Sequence, residues 1–285
     1  MGKKERLKLF FKGILIGIAQ TIPGISGGTI AFITGIYERL ICSIDAIDLK
    51  IPFYILRADF EKAKKGIKDI DYGFFIPLGI GTAVSIISVA NLMVFAINQW
   101  KAITFSFFFG LILASAIKIF LKVSKYSLKN SILGLVGFFI TFFFSGLTQT
   151  FNLQGLHLLF ISGFISVLAL MLPGISGSLL LLIMGQYETV MDIVSNFHNN
   201  IVEILVFISG GVLSLFSIVK LLSFLFDRFE QSTIAFLTGL VFGSLRLPYI
   251  EIMNVVHTGL NPYLMFLSAI TGAVLVYFLE NSYSV

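Results

Sequence analysis

Two serines stand in matching surroundings, Ser26 within Pro23-Gly24-Ile25-Ser26-Gly27-Gly28 and Ser176 within Pro173-Gly174-Ile175-Ser176-Gly177-Ser178, 150 residues apart. Each stretch interrupts a long apolar run with proline, which lacks a backbone donor, and with glycine, which costs about 1 kcal/mol in a helix interior. A helix that restarts after such a break offers unpaired amides, the positive end of its dipole and a serine suited to capping. Together these make an anion site. Glycine also lets the backbone approach a phosphate or carboxylate closely. The candidate ligands are therefore Pro23, Gly24, Ser26, Gly27, Gly28 and Thr29 from one copy, and Pro173, Gly174, Ser176, Gly177 and Ser178 from the other.

The duplication runs on in register, with Gly35-Ile36-Tyr37-Glu38 after the first copy and Gly185-Gln186-Tyr187-Glu188 after the second. Glu38 and Glu188 each lie eleven residues beyond the motif glycines Gly27 and Gly177. Acids at membrane depth pair with a base or handle protons, so these two are candidates for proton or cation coupling. Arg39 either partners Glu38 or snorkels to the interface. Arg246, in Gly243-Ser244-Leu245-Arg246-Leu247-Pro248, is suited by its planar fork to phosphate oxygens, or else anchors the chain at the interface. The motifs also read as Gly-x-Ser-Gly, the nucleophile signature of rhomboid-type intramembrane proteases, which need a histidine base. His157, His198 and His257 fall near segment ends or in loops, and a catalytic serine has no reason to be duplicated in inverted form. No catalytic residue is assigned, no His/Cys/Asp/Glu spacing suits a metal, and no cofactor is expected.

The elements that must position these residues are set by composition. With 57% hydrophobic residues, 12% charged and a mean hydropathy of +0.97, the chain reads as an all-α integral membrane protein. Its apolar runs are of helical length, too long for the alternating ten-residue strands of a membrane barrel. The basic start lacks a small-residue cleavage site and reads as leading into the first membrane element. Cys42 excludes an internal disulfide and reads as a packing residue.

In chain order, the runs on either side of Pro23-Gly24 are each about 16 residues, hence about 24 Å as helix and short of the roughly 30 Å hydrocarbon layer. They form a re-entrant hairpin over 7–44, with one helical arm from Thr29 to about Ile44. An amphipathic cytoplasmic segment covers 45–72, and spans follow at 73–98, 102–121 and 131–149. A second hairpin covers 156–193, then spans at 201–226, 231–248 and 262–280. Three spans after each hairpin invert the halves 1–149 and 150–285, giving an inverted-repeat helical bundle with two broken-helix hairpins and about six full spans. With both termini cytoplasmic, most Lys and Arg fall inside and Lys101 and Arg246 fall outside, as the positive-inside bias requires. Gly13/Gly17 and Gly239/Gly243 have small-xxx-small spacing for close helix packing, and Thr82, Ser85, Ser88 and Asn91 make a polar stripe facing the bundle or a cavity.

Taken together, Ile22 to Thr29, Gly35 to Leu40, Leu172 to Ser178 and Gly239 to Pro248 resemble the bacterial polyprenyl-phosphate transporter family over essentially the whole chain. That resemblance implies a plasma-membrane protein whose partners are the bilayer and a polyprenyl-phosphate lipid, with no nucleic acid. It implies return of undecaprenyl phosphate, the carrier of cell-wall precursors, from the outer to the inner leaflet. The two motif loops would bind the lipid, supported by Glu38, Arg39, Glu188 and Arg246. Ser178 stands where the first copy has Gly28, so the two loops need not contribute equally. On residue chemistry alone, a channel or secondary transporter for a small soluble anion stays open beside lipid transport.

Overall fold

The computed structural model describes residues 2–20, 26–122, 127–146, 155–196, 198–256 and 262–281, and among them the regular structure is helical throughout. The stretch expected to form the first hairpin carries α1 (Lys3–Gln20), α2 (Gly27–Ile33) and α3 (Tyr37–Asp45). The arm expected to run from Thr29 to Ile44 is thus two helices. Its break is a Schellman motif: Gly35 takes φ +70°, its N–H donates to Phe32 O, and Ile36 N donates to Ala31 O at 3.0 Å. A residue in the left-handed region with this bonding ends a helix, and glycine occupies it without a Cβ penalty. Because no atom lies within 4 Å of a Cβ built on Gly35, alanine there meets only the backbone cost. Gly35→Ala should lower stability by about 1 kcal/mol, read as a shift in thermal midpoint, while function is retained.

The amphipathic segment expected at 45–72 carries two short helices, α4 (Ile51–Leu56) and α5 (Phe60–Lys68). Asp59 caps α5, accepting from Lys62 N, and its carboxyl is held below the usual carboxylate range first by the hydrogen bond from the Lys62 side chain.

Next comes α6 (Tyr72–Lys122), 51 residues long, then α7 (Leu128–Phe144). A straight 51-residue helix would measure about 76 Å, more than twice a hydrocarbon layer. The run is divided at Trp100, whose backbone leaves the helical region (φ −133°, ψ 45°). Thr104 Oγ1 reaches back across the break to Ala96 O at 3.2 Å, giving a donor to a carbonyl whose helical partner lies at the break.

The chain continues with α8 (Leu156–Met171), α9 (Gly177–Ile183), α10 (Tyr187–Ser195), α11 (Ile201–Ser244), α12 (Arg246–Val256) and α13 (Pro262–Asn281). Gly185, at φ +66°, ends α9 with the same pair of bonds, Gly185 N to Leu182 O and Gln186 N to Leu181 O, and α9 meets α10 at 114°. Phe229 (φ −136°, ψ 36°) breaks α11, and Thr233 Oγ1 returns to Leu225 O at 3.1 Å. The breaks at Trp100 and Phe229 fall between the spans expected at 73–98 and 102–121 and at 201–226 and 231–248.

Among the described residues, Phe95–Leu121 and Ile201–Val255 are long and apolar enough to cross a membrane, and two bent pairs, Phe60–Lys68 with Tyr72–Ser88 and Gly177–Ile183 with Tyr187–Val194, qualify when each is taken as one span. Leu128–Phe144, Leu156–Met171 and Pro262–Tyr277 are shorter apolar helices.

Packing is organised by glycines facing carbonyls. A Cβ on Gly13 would overlap Leu78 O and one on Gly81 would overlap Phe10 O, where α1 crosses the first arm of α6. Gly163 and Gly210 make the same reciprocal contact between α8 and the first arm of α11, against Phe207 O and Phe160 O. The second arms follow suit: Gly110 against Ala269 O joins α6 to α13, and Gly239 against Gly134 O joins α11 to α7. Backbones this close gain dispersion contacts that larger side chains would prevent, the main source of helix association where lipid is the solvent. Of the polar stripe, Thr82 donates to Gly13 O and Ser85 is buried, but Ser88 is exposed and the Asn91 side chain lies outside the described residues. Cys42, read as a packing residue, is exposed on α3.

Candidate functional site

The second motif loop leaves α8 at Leu172, turns at Gly174 and enters α9 at Gly177. Pro173 is fully buried and Gly174 adopts φ +89° with the Leu240 carbonyl of α11 directly against its Cα, so a Cβ would overlap that oxygen. Two properties of the position thus require glycine. Ser176 is the N-cap of α9, accepting from Leu179 N at 3.4 Å, and its Oγ lies 3.0 Å from Ser178 Oγ.

Of the first motif, Pro23 and Gly24 lie outside the described residues, while Ser26, Gly27, Gly28 and Thr29 are all buried. Ser26 precedes α2 with extended backbone (φ −91°, ψ 130°), as an N-cap should. Its Oγ, however, is buried and has no hydrogen-bond partner among the described residues. A buried hydroxyl without a partner costs about 1–3 kcal/mol; Ser85, Ser162 and Ser214 share that state in helix interiors, and Ser26 differs from them in standing at the start of a helix. The amides of Gly27 and Gly28 open the helix beside it and have no intrahelical acceptor.

Residues from both copies are in direct contact. Thr29 Oγ1 accepts from Gly174 N at 2.7 Å, a buried bond spanning 145 residues of sequence. Gly28 packs against the Leu170 carbonyl at the end of α8, 2.8 Å from where a Cβ would stand. A side chain at position 28 would meet that carbonyl, whereas the Ser178 hydroxyl lies 3.0 Å from that of Ser176. Tyr37 OH donates to Met171 O at 2.6 Å, so the last turn of α8 is held by the first half. Tyr37 was given no role by sequence reasoning; the repeat of Tyr-Glu after each glycine was the available signal.

The supporting charges lie elsewhere. Glu38 and Glu188 are exposed in the first turns of α3 and α10, where the helix dipole favours acids. Arg39 bonds Glu5 at 2.9 Å and Asp71 at 3.0 Å and lies over the Phe74 ring, tying α3 to α1 and α6. Arg246 donates to Phe142 O at 2.6 Å, stacks over the Phe142 ring and fills space beside Gly146, so it fastens α12 to the end of α7. No bond joins it to either motif among the described residues, and neither motif serine is bonded to a histidine there; His257 lies outside them. Groups of His, Cys, Asp and Glu able to hold a metal are absent among the described residues.

The two serines should respond oppositely to truncation. Ser176→Ala removes a cap and should cost about 1 kcal/mol of stability. Ser26→Ala removes an unpaired buried hydroxyl and should leave the thermal midpoint unchanged or raised while lowering activity, the pattern of a residue kept for binding. A midpoint drop for Ser26→Ala equal to that for Ser176→Ala would identify it as an ordinary cap.

The undecaprenyl phosphate translocase-like family matches residues 16–260 of the chain. The chain is 37% identical over 246 residues to a polyprenyl-phosphate transporter of Vibrio cholerae, covering 84% of this chain and 76% of that protein. It is 32% identical over 253 residues to a polyprenyl-phosphate transporter of Staphylococcus aureus, covering 82% of this chain and 83% of that protein. No solved structure matches it.

Proposed function

Since the chain belongs to the undecaprenyl phosphate translocase-like family, we propose that it carries a polyprenyl phosphate, undecaprenyl phosphate foremost, from the outer to the inner leaflet of the plasma membrane so that the carrier can be reused in cell-wall synthesis. An ionised phosphate is very costly in hydrocarbon, so a transporter must replace its hydration with fixed donors while the tail stays in lipid. The motif loops supply such donors: the amides that open α2 and α9, the dipole ends behind them and the Ser26 hydroxyl.

The observation that carries the reading is the buried bond from Gly174 N to Thr29 Oγ1, because it joins the two copies of the motif at one place. Matching breaks at Trp100 and Phe229 and matching glycine contacts in the two halves support an inverted repeat, in which one half moves against the other to expose the phosphate first outward and then inward. Arg246, with one of its donors given to Phe142, receives the phosphate on the outer side, and both termini are cytoplasmic. Coupling to a proton or cation is assigned to Glu38 and Glu188 from their matching places in the first turns of α3 and α10.

The test is the amount of undecaprenyl phosphate exposed on the surface of cells lacking the protein. Exposed carrier should accumulate on deletion and be cleared by the wild-type chain but not by Ser26→Ala. No accumulation would sink the lipid assignment. Rescue by every motif variant would sink the site. Flux of a soluble anion without lipid movement would favour a channel or small-anion carrier.

A further inference from the structure

A half-open cavity of about 360 Å³ lies between α7 and the two arms of α11, walled by Leu133, Leu222, Leu225 and Phe229, with Lys129 as its charged residue and Leu172 at the motif loop. Leu172 immediately precedes Pro173-Gly174, so the cavity abuts the second motif loop. Phe229 is both a wall of the groove and the residue at which α11 breaks. Lys129 Nζ sits 5.1 Å from the centre of the Phe229 ring, and among the described residues no carboxylate lies within ion-pair distance of it. It occupies the first turn of α7, where the helix dipole opposes a positive charge. An apolar trough of ligand size, with one exposed cation that gains nothing from its own helix, is complementary to an amphiphile with an apolar chain and an anionic end.

We propose that this groove is a lateral docking site for polyprenyl phosphate, the isoprene units nearest the phosphate lying between α7 and α11 and the phosphate paired with Lys129. This rests on the transport reading above and deepens it, since a lipid held here touches Leu172, which precedes Pro173, and Phe229, where α11 breaks. The pairing is a charge-assisted contact at a membrane surface, and the leucines exclude water beside it.

The test uses the full chain in nanodiscs of phosphatidylethanolamine and phosphatidylglycerol, with a photoactivatable farnesyl phosphate as probe and mass spectrometry to locate the label. Label should fall on α7 around Lys129–Leu133 and on α11 around Leu222–Phe229. Lys129→Gln should weaken labelling about tenfold, and Lys129→Arg should restore most of it. Leu225→Trp and Leu133→Trp, which fill the groove from opposite walls, should each reduce labelling by the phosphate and by a photoactivatable farnesol. The farnesol label should be indifferent to Lys129→Gln. Label outside the groove, indifference of the phosphate to Lys129→Gln, or equal displacement by excess phosphatidylglycerol or by inorganic phosphate would each overturn the proposal. A chain that moves polyprenyl phosphate in vesicles but labels elsewhere overturns the groove and leaves transport standing. A chain that labels in the groove yet moves no lipid supports the groove and overturns transport.

Discussion

Gly174→Ala should abolish transport and lower stability by about 2–5 kcal/mol. An alanine at φ +89° incurs roughly 1–2 kcal/mol of left-handed strain. Overlap of its Cβ with the Leu240 carbonyl adds about 1–3 kcal/mol, because that oxygen belongs to a packed helix and cannot swing aside as a side chain would. The measurement is a thermal melt in detergent beside carrier clearance in cells. Gly35→Ala, which is also at positive φ but has open space around it, is the control for backbone strain alone. Equal midpoints for the two variants would show that the loop yields and that the contact with Leu240 is unimportant.

Thr29→Val should come next in effect. Valine keeps the shape but cannot accept from Gly174 N, and the amide is then buried without a partner, at a cost of about 1–3 kcal/mol. Thr29→Ser keeps the acceptor and should cost less than 1 kcal/mol, through the lost methyl alone. Transport should follow the hydroxyl, with Ser retaining most of it and Val losing nearly all. Because Thr29 and Gly174 share one bond, the double variant Thr29→Val/Gly174→Ala should be less damaging than the sum of the two single ones. Strict additivity would mean that the loops do not act as a unit.

How much of this was legible in the sequence depends on the range of the interaction concerned. The Pro-Gly-Ile-Ser-Gly breaks and the change of span near Trp100 and Phe229 are local, set by residues that cannot sustain a helix or by runs too long for one bilayer crossing, and they could be read directly. The break at Gly35 could not, because a glycine inside an apolar run is equally consistent with helix; only the bonds Gly35 N to Phe32 O and Ile36 N to Ala31 O decide it. Partners distant in sequence were hidden for a different reason. Arg39 was read as a partner of Glu38 or as a snorkelling interfacial residue, yet it bonds Glu5 on α1 and Asp71 immediately before α6. Arg246 stood out by charge, but its partner is the Phe142 carbonyl, and a backbone acceptor leaves no mark in residue type. Thr29, by contrast, was named as a ligand from its place after the glycines, and in the fold it is the residue that joins the two motifs.

Movement of a polyprenyl phosphate between leaflets by the joined loops can be read in vesicles, with a fluorescent polyprenyl phosphate placed in the outer leaflet and its accessibility to a membrane-impermeant quencher followed over time. Vesicles holding the wild-type chain should lose accessible lipid far faster than protein-free vesicles, and those holding Thr29→Val should behave as if empty. Loss from wild-type vesicles at the protein-free rate would mean that the joined loops do not move the lipid.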